Sequence, residues 1–202
     1  MISFDILFVM LNEVKHLYVL LVALKVLHFV YDDNVFDNHL LMAFDKFTIT
    51  ADINTEDVRS VYHLWTTPQG LESWFLREAK FYTIGKRLRA KDEVIGKEDT
   101  YEWLWYGYEE SGRGAILEIN EIDLIKFTFS GKSIVTVNLK SANSVTLVEL
   151  TQENIPQESD LDKNLYVQCQ IGWTFYLANL KSIVEGGIDL RNKRVDLKSS
   201  FR

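Results

Sequence analysis

The chain has 202 residues, 47% hydrophobic, 25% charged and 13% aromatic, the composition of one ordinary globular domain, which excludes a largely disordered protein. Twenty-nine Asp and Glu against 22 Lys and Arg leave a net charge of −7, which argues against a general nucleic-acid binder. The single cysteine, Cys169, can form neither an internal disulfide nor a cysteine-cluster metal site.

Composition changes at Met42. Residues 1–41 hold no Gly, Pro or Trp, while all ten glycines, both prolines and all five tryptophans follow. The apolar, turn-free stretch predicts a helix over 9–30. No membrane span is expected there, because a span needs roughly 20 consecutive apolar residues and Lys25 and His28 interrupt this one. The acidic opening Met1-Ile-Ser-Phe-Asp5 does not suit a secretory signal, so a cytoplasmic location is expected. Residues 9–17 resemble translated intergenic repeats found at the ends of unrelated bacterial proteins. Three origins stay open: an extension upstream of a true start at Met42, a helix lying on the domain or on a membrane surface, and an anchor. The chain thus divides into an apolar extension (1–41), a domain (42–190) and a polar, loose tail (191–202).

The domain opens on a clean alternation. Phe47, Ile49, Ala51 and Ile53 share one face and Thr48, Thr50 and Asp52 the other, as in a half-buried strand. Asn54 reads as a helix N-cap with Glu56 and Asp57 in the first turn. Val58, Val61, Tyr62 and Trp65 follow at helical spacing. Thr67-Pro68 reads as a second start, with Thr67 as cap and Pro68 at the first helical position. Strands are then expected over 77–84, 86–95, 101–108, 115–120, 125–129, 135–140 and 145–150, with Ser111-Gly-Arg-Gly114 and Ser130-Gly-Lys132 as turns. In the last strand the register is open, since Val145/Leu147/Glu149 and Val148/Leu150 both look half-buried. From about residue 160 the period becomes helical. Leu165, Cys169, Trp173, Tyr176, Leu177, Leu180 and Val184 form one stripe, and Gly186-Gly187 ends it. Consecutive strands on short links make an antiparallel meander, and the long helix is the element large enough to cover it.

Particular words sit inside that order. They are Trp65-Thr-Thr-Pro-Gln-Gly-Leu-Glu-Ser-Trp-Phe75, Tyr101-Glu-Trp-Leu-Trp105, Leu150-Thr-Gln-Glu-Asn-Ile-Pro156 and Gly172-Trp-Thr-Phe-Tyr-Leu-Ala-Asn-Leu-Lys181, with Glu185-Gly-Gly187 after them. Together they resemble the SRPBCC (START-like) superfamily, and within it single-domain bacterial homologues of the activator of heat-shock-protein-ninety ATPase, over residues 44–193. The resemblance implies an α+β helix-grip fold: a curved antiparallel sheet of six to seven strands around a long C-terminal helix, with two short helices after the first strand. It also implies an apolar cavity between sheet and helix in many members. Residues 1–41 do not resemble the N-terminal domain of full-length co-chaperones of this type.

The functional reading rests on aromatics. Trp65, Trp74 and Phe75 come from the short helices. Tyr101, Trp103 and Trp105 lie on one strand face, and Phe127 and Phe129 on another. Trp173, Tyr176, Leu177 and Leu180 would face them from the long helix. The set is either a plain core or the wall of a cavity for a small apolar ligand. Charge is also segregated. Arg77, Lys80, Lys86, Arg87, Arg89 and Lys91 face only Glu78 within 77–91, and ten acids follow over 92–123, a candidate surface for a protein partner such as a heat-shock chaperone. No nucleophile elbow, Walker loop or zinc motif occurs. His63 has no ligand-spaced neighbour, and Cys169 reads as buried and apolar. Glu149 and Tyr101 are the polar residues that would enter a cavity. No cofactor, metal or catalysis is expected.

Overall fold

A computed structural model describes residues 45–156 and 164–194. The expectations for residues 1–41 and for 195–202 lie outside the described residues. Strand β1 (Phe47–Ile53) is followed by helices α1 (Val58–Thr66) and α2 (Pro68–Trp74). Strands β2 (Glu78–Tyr82), β3 (Thr100–Leu104), β4 (Gly112–Ile119), β5 (Leu124–Phe129), β6 (Ser133–Ala142) and β7 (Val145–Glu153) form the meander, and α3 (Leu165–Val184) closes the fold. The seven antiparallel strands lie in the order β1-β7-β6-β5-β4-β3-β2. Among the described residues no helix is long and apolar enough to cross a membrane.

Local chemistry sets the early elements. In β1, Phe47 and Ile53 are buried, Ile49 and Ala51 partly so, and Thr48, Thr50 and Asp52 exposed, as the alternation predicts. The N-cap of α1 is Asp57 rather than Asn54. Its carboxylate accepts the Ser60 N–H at 3.0 Å, so Glu56 and Asp57 precede the helix instead of lying in its first turn. Thr67 joins α1 to α2: its hydroxyl donates to the His63 carbonyl (2.9 Å) and accepts the Gly70 N–H (3.0 Å).

Two expected features change. Residues 86–95 form no strand; an isolated bridge, Tyr82 to Leu88, and a bond from the Lys91 ammonium to the Ala79 carbonyl (3.4 Å) tie the segment to β2. Carboxylates fold this segment back on itself. Arg87 and Arg89 both bond Glu93 (2.6 and 2.7 Å), and Arg89 bonds the buried Asp99. Second, Gly112 and Gly114 belong to β4 and not to a turn. Their placement is steric: a Cβ at Gly112 would sit 2.9 Å from the Trp105 ring, and one at Gly114 would strike the Tyr101 hydroxyl.

The register also settles the last strand. Val148, Leu150 and Gln152 are buried, and Glu149 takes the other face, opposite Thr50 and Asn138. The stripe of α3 packs inward, with Trp173, Leu177 and Leu180 no more than 2% exposed. The chain does not loosen directly after α3. Arg191 is buried, and its guanidinium donates to the carbonyls of Glu72 (3.0 Å), Ser73 (2.6 Å) and Leu76 (2.9 Å) at the end of α2, and to Asp189. Buried Asn179 adds a bond to the Trp74 carbonyl (2.6 Å) and accepts the Leu190 N–H (2.7 Å).

Candidate functional site

The predicted aromatic residues converge. Phe75 is the hub: its centroid lies 5.1 Å from Trp173, 5.2 Å from Trp74, 5.6 Å from Trp103 and Trp105, and 4.8 Å from Tyr176. Trp65 joins through Trp74 (4.6 Å) and Trp173 (6.2 Å). From the sheet, Phe127 and Phe129 reach Trp173 at 6.4 and 5.1 Å, and Tyr101 stacks on Trp103 at 3.9 Å. Leu177 and Leu180 are buried on the same helix. Directly between sheet and helix, then, rings meet rings, with Phe75 stacked on Trp173.

Open space lies beside this cluster. A cleft of about 240 Å³ is walled by Tyr101, Trp105, Gly112, Arg113, Phe129, Ser130 and Gly131. It exists because β4 changes partners. Residues 112–115 pair with β3, whereas the ladder to β5 begins only at Ile116, opposite Phe127. The two strands part over the intervening stretch. Tyr101 bridges the seam, its ring lying across Gly114 and its hydroxyl donating to the Thr128 carbonyl (2.6 Å). The Thr128 hydroxyl in turn accepts the Ala115 N–H at 2.9 Å.

Polar groups around the cluster divide into bonded and unbonded. The Trp173 indole donates to Gln152 (2.9 Å), whose amide donates to Ser133 (2.9 Å). The indole N–H groups of Trp65 and Trp103 are buried with no hydrogen-bond partner among the described residues, a costly condition in a native interior. Burial drives the Tyr101 phenol well above its ordinary range and pushes Tyr176 up to about 12. Burial likewise raises the Cys169 thiol, so the group stays protonated and unreactive. His63 is exposed. Glu149 faces away from the cluster, and the Tyr101 hydroxyl is tied to main chain. Among the described residues no three His, Cys, Asp or Glu side chains converge as a metal site.

The six cations of the candidate partner surface do not form an open patch. Lys80 pairs with Glu78 (3.0 Å), Arg87 and Arg89 with Glu93, and Lys91 with Glu72. Of the six, Arg77 and Lys86 have no carboxylate partner among the described residues. Sequence reasoning missed Gln152, Asn179 and Arg191. The first had a readable signal, a polar residue at an inward position of an alternating strand; the other two are explained only by contacts distant in sequence.

Residues 57–185 match the family described as Activator of Hsp90 ATPase homolog 1-like protein, more than half of the chain. The chain belongs to this family. Solved structures share the fold of the AHSA1-like domain. A protein from Staphylococcus saprophyticus is 17% identical with a TM-score of 0.56, over 72% of this chain and 96% of that one. The Aha1 dimer from Colwellia psychrerythraea is 16% identical with a TM-score of 0.53, over 70% and 97%. A protein described as an HSP90 activator from Plasmodium falciparum is 22% identical with a TM-score of 0.50, over 69% and 96%. Among curated protein sequences none matches.

Proposed function

We propose that this AHSA1-like domain is a non-catalytic binding module, acting in the cytoplasm, that takes a small apolar ligand at the end of its aromatic cluster. The observation that carries the reading is the cleft of about 240 Å³ between Tyr101, Trp105 and Phe129. Its volume is just below the ~300–1,000 Å³ usual for ligand sites, so the occupant is a compact ring system and not a long lipid. A free thiol at Cys169 suits a reducing compartment. Native mass spectrometry of the protein taken directly from cells tests the reading. An added mass of a few hundred daltons or less is expected, and a ligand-free mass in every preparation overturns it.

A second reading, a co-chaperone-type module that docks on a heat-shock chaperone, is favoured by the family and by the outer face of α3. Gln168, Ile171, Thr174, Phe175 and Ala178 are exposed there without a charge among them, Ile171 and Phe175 at 39% and 38%. A surface helix ordinarily carries charge on that side. Stimulation of the ATPase of the organism's own chaperone, lost in Phe175→Glu, is the expected result. No association at low salt removes this reading.

A further inference from the structure

The seam between β4 and β5 exposes main chain as well as rings. In an antiparallel strand successive residues direct their N–H and C=O groups to opposite neighbours. The Ile116 N–H bonds Asp99 on the β3 side (2.8 Å), and the Ala115 N–H bonds Thr128 on the β5 side (2.9 Å). By that alternation Gly112 and Gly114 direct their main chain to β3, and Arg113 directs both its N–H and its C=O into the seam. The β5 ladder does not reach that far. The Arg113 side chain points the other way, to Glu102 on the outer face (3.1 Å). Arg113 therefore offers the cleft one main-chain donor beside one main-chain acceptor, the edge a neighbouring strand would otherwise take.

The walls complete the chemistry. Trp105 and Phe129 stand nearly perpendicular, 6.4 Å between centroids, so a flat molecule can lie on one and meet the edge of the other. Gly131 leaves the rim open, with no atom within 4 Å of where its Cβ would lie, and Gly112 lets the Trp105 ring lie against the floor.

Resting on the binding-module reading above, we propose that the seam recognises a planar one- or two-ring molecule with a cyclic amide edge. Its rings bed against Trp105 and Phe129, its N–H donates to the Arg113 carbonyl, and its carbonyl accepts the Arg113 N–H. The pairing copies one rung of a β-ladder, and selectivity comes from the donor–acceptor pair, since a site built to hydrogen-bond discriminates strongly against an analogue that cannot.

Titration of the full ¹⁵N-labelled chain with three probes of similar shape tests this: 2-quinolone, its N-methyl derivative and naphthalene. The expected result is that 2-quinolone shifts the Arg113 amide and Trp105 indole signals, while the N-methyl compound and naphthalene bind at least tenfold more weakly. Trp105→Leu, a change at the rim, is expected to lower 2-quinolone affinity at least tenfold with the rest of the spectrum retained. Gly112→Ala does the same by driving a methyl group against Trp105. Equal binding of naphthalene overturns the amide edge and leaves an apolar site in place. Binding of none of the three overturns the inference, and a ligand-free native mass then removes the parent reading as well.

Discussion

The loop over 86–99 and the first half of β4 lie close together in the chain and are built on opposite plans. The loop bonds its cations to carboxylates within or beside it: Arg87 and Arg89 to Glu93, Arg89 to Asp99, Lys91 to Glu72. The first half of β4 has almost no charge to satisfy, and its main chain toward β5 stays outside any ladder. A run of charge in a sequence thus marks self-closure here, and a pair of glycines marks an opening. Groups already committed to one another have little left to offer a partner; at the seam, the main chain of Arg113 lies outside the β5 ladder.

The contrast can be broken first at its strongest closure. Arg191→Ala removes a buried cation that holds three carbonyls in and just after α2, and breaks its pair with Asp189, which keeps only Lys193 and Asn179 as side-chain partners among the described residues. Breaking such a pair costs about 3 kcal/mol or more, and thermal unfolding should fall by about 10 °C. Next comes the seam: Gly114→Ala forces a methyl group into the Tyr101 hydroxyl, and denaturant unfolding should register a loss of about 1–3 kcal/mol. Gly85→Ala, with only Thr83 at 3.8 Å, should be near neutral in the same experiment.

Acid sharpens the comparison. Hydrogen bonds from Arg87 pull Glu93 down from 4.5 to about 2. At Asp189, burial pushes upward but bonds from Arg191 and Lys193 outweigh it, so its carboxyl also lies below the usual range. A carboxylate lowered on folding stabilises above its unfolded pKa, and that stability drains away as pH falls through the folded value. Melting temperature should therefore decline between about pH 4.5 and 2, and Glu93→Gln should flatten part of the decline. The smallest effect is expected at Arg113→Ala, whose side chain is 76% exposed. Its stability change should stay within about 0.5 kcal/mol, and 2-quinolone binding should persist because the main chain is untouched.

Much of the fold was legible because its signals are local. The alternation through Phe47–Ile53, the Thr67-Pro68 start and the stripe from Leu165 to Val184 each lie within a few turns or one strand. The two larger failures share one cause. The segment over 86–95 alternates like a strand but is folded by Asp99 and Glu93, whose pairing with arginine no periodicity reveals. Gly112 and Gly114 carry a turn signature, and their real reason is the bulk of Trp105 and Tyr101 on the neighbouring strand. The aromatic residues of the candidate site could be collected from the sequence. The void among them could not, because it comes from β4 switching neighbours, a property of pairing and not of composition.

The ring cluster also has an optical consequence. Trp65 touches Trp74 and Trp173, Trp103 touches Trp105, and Phe75 lies between the two groups. Indoles at such separations exchange excitation energy and couple their transitions, so the folded protein should give a strong near-ultraviolet circular dichroism signal and short-lived, depolarised emission. Any shift of α3 against the sheet would alter that signature, and the domain thereby carries a built-in reporter of its own packing that needs no attached dye.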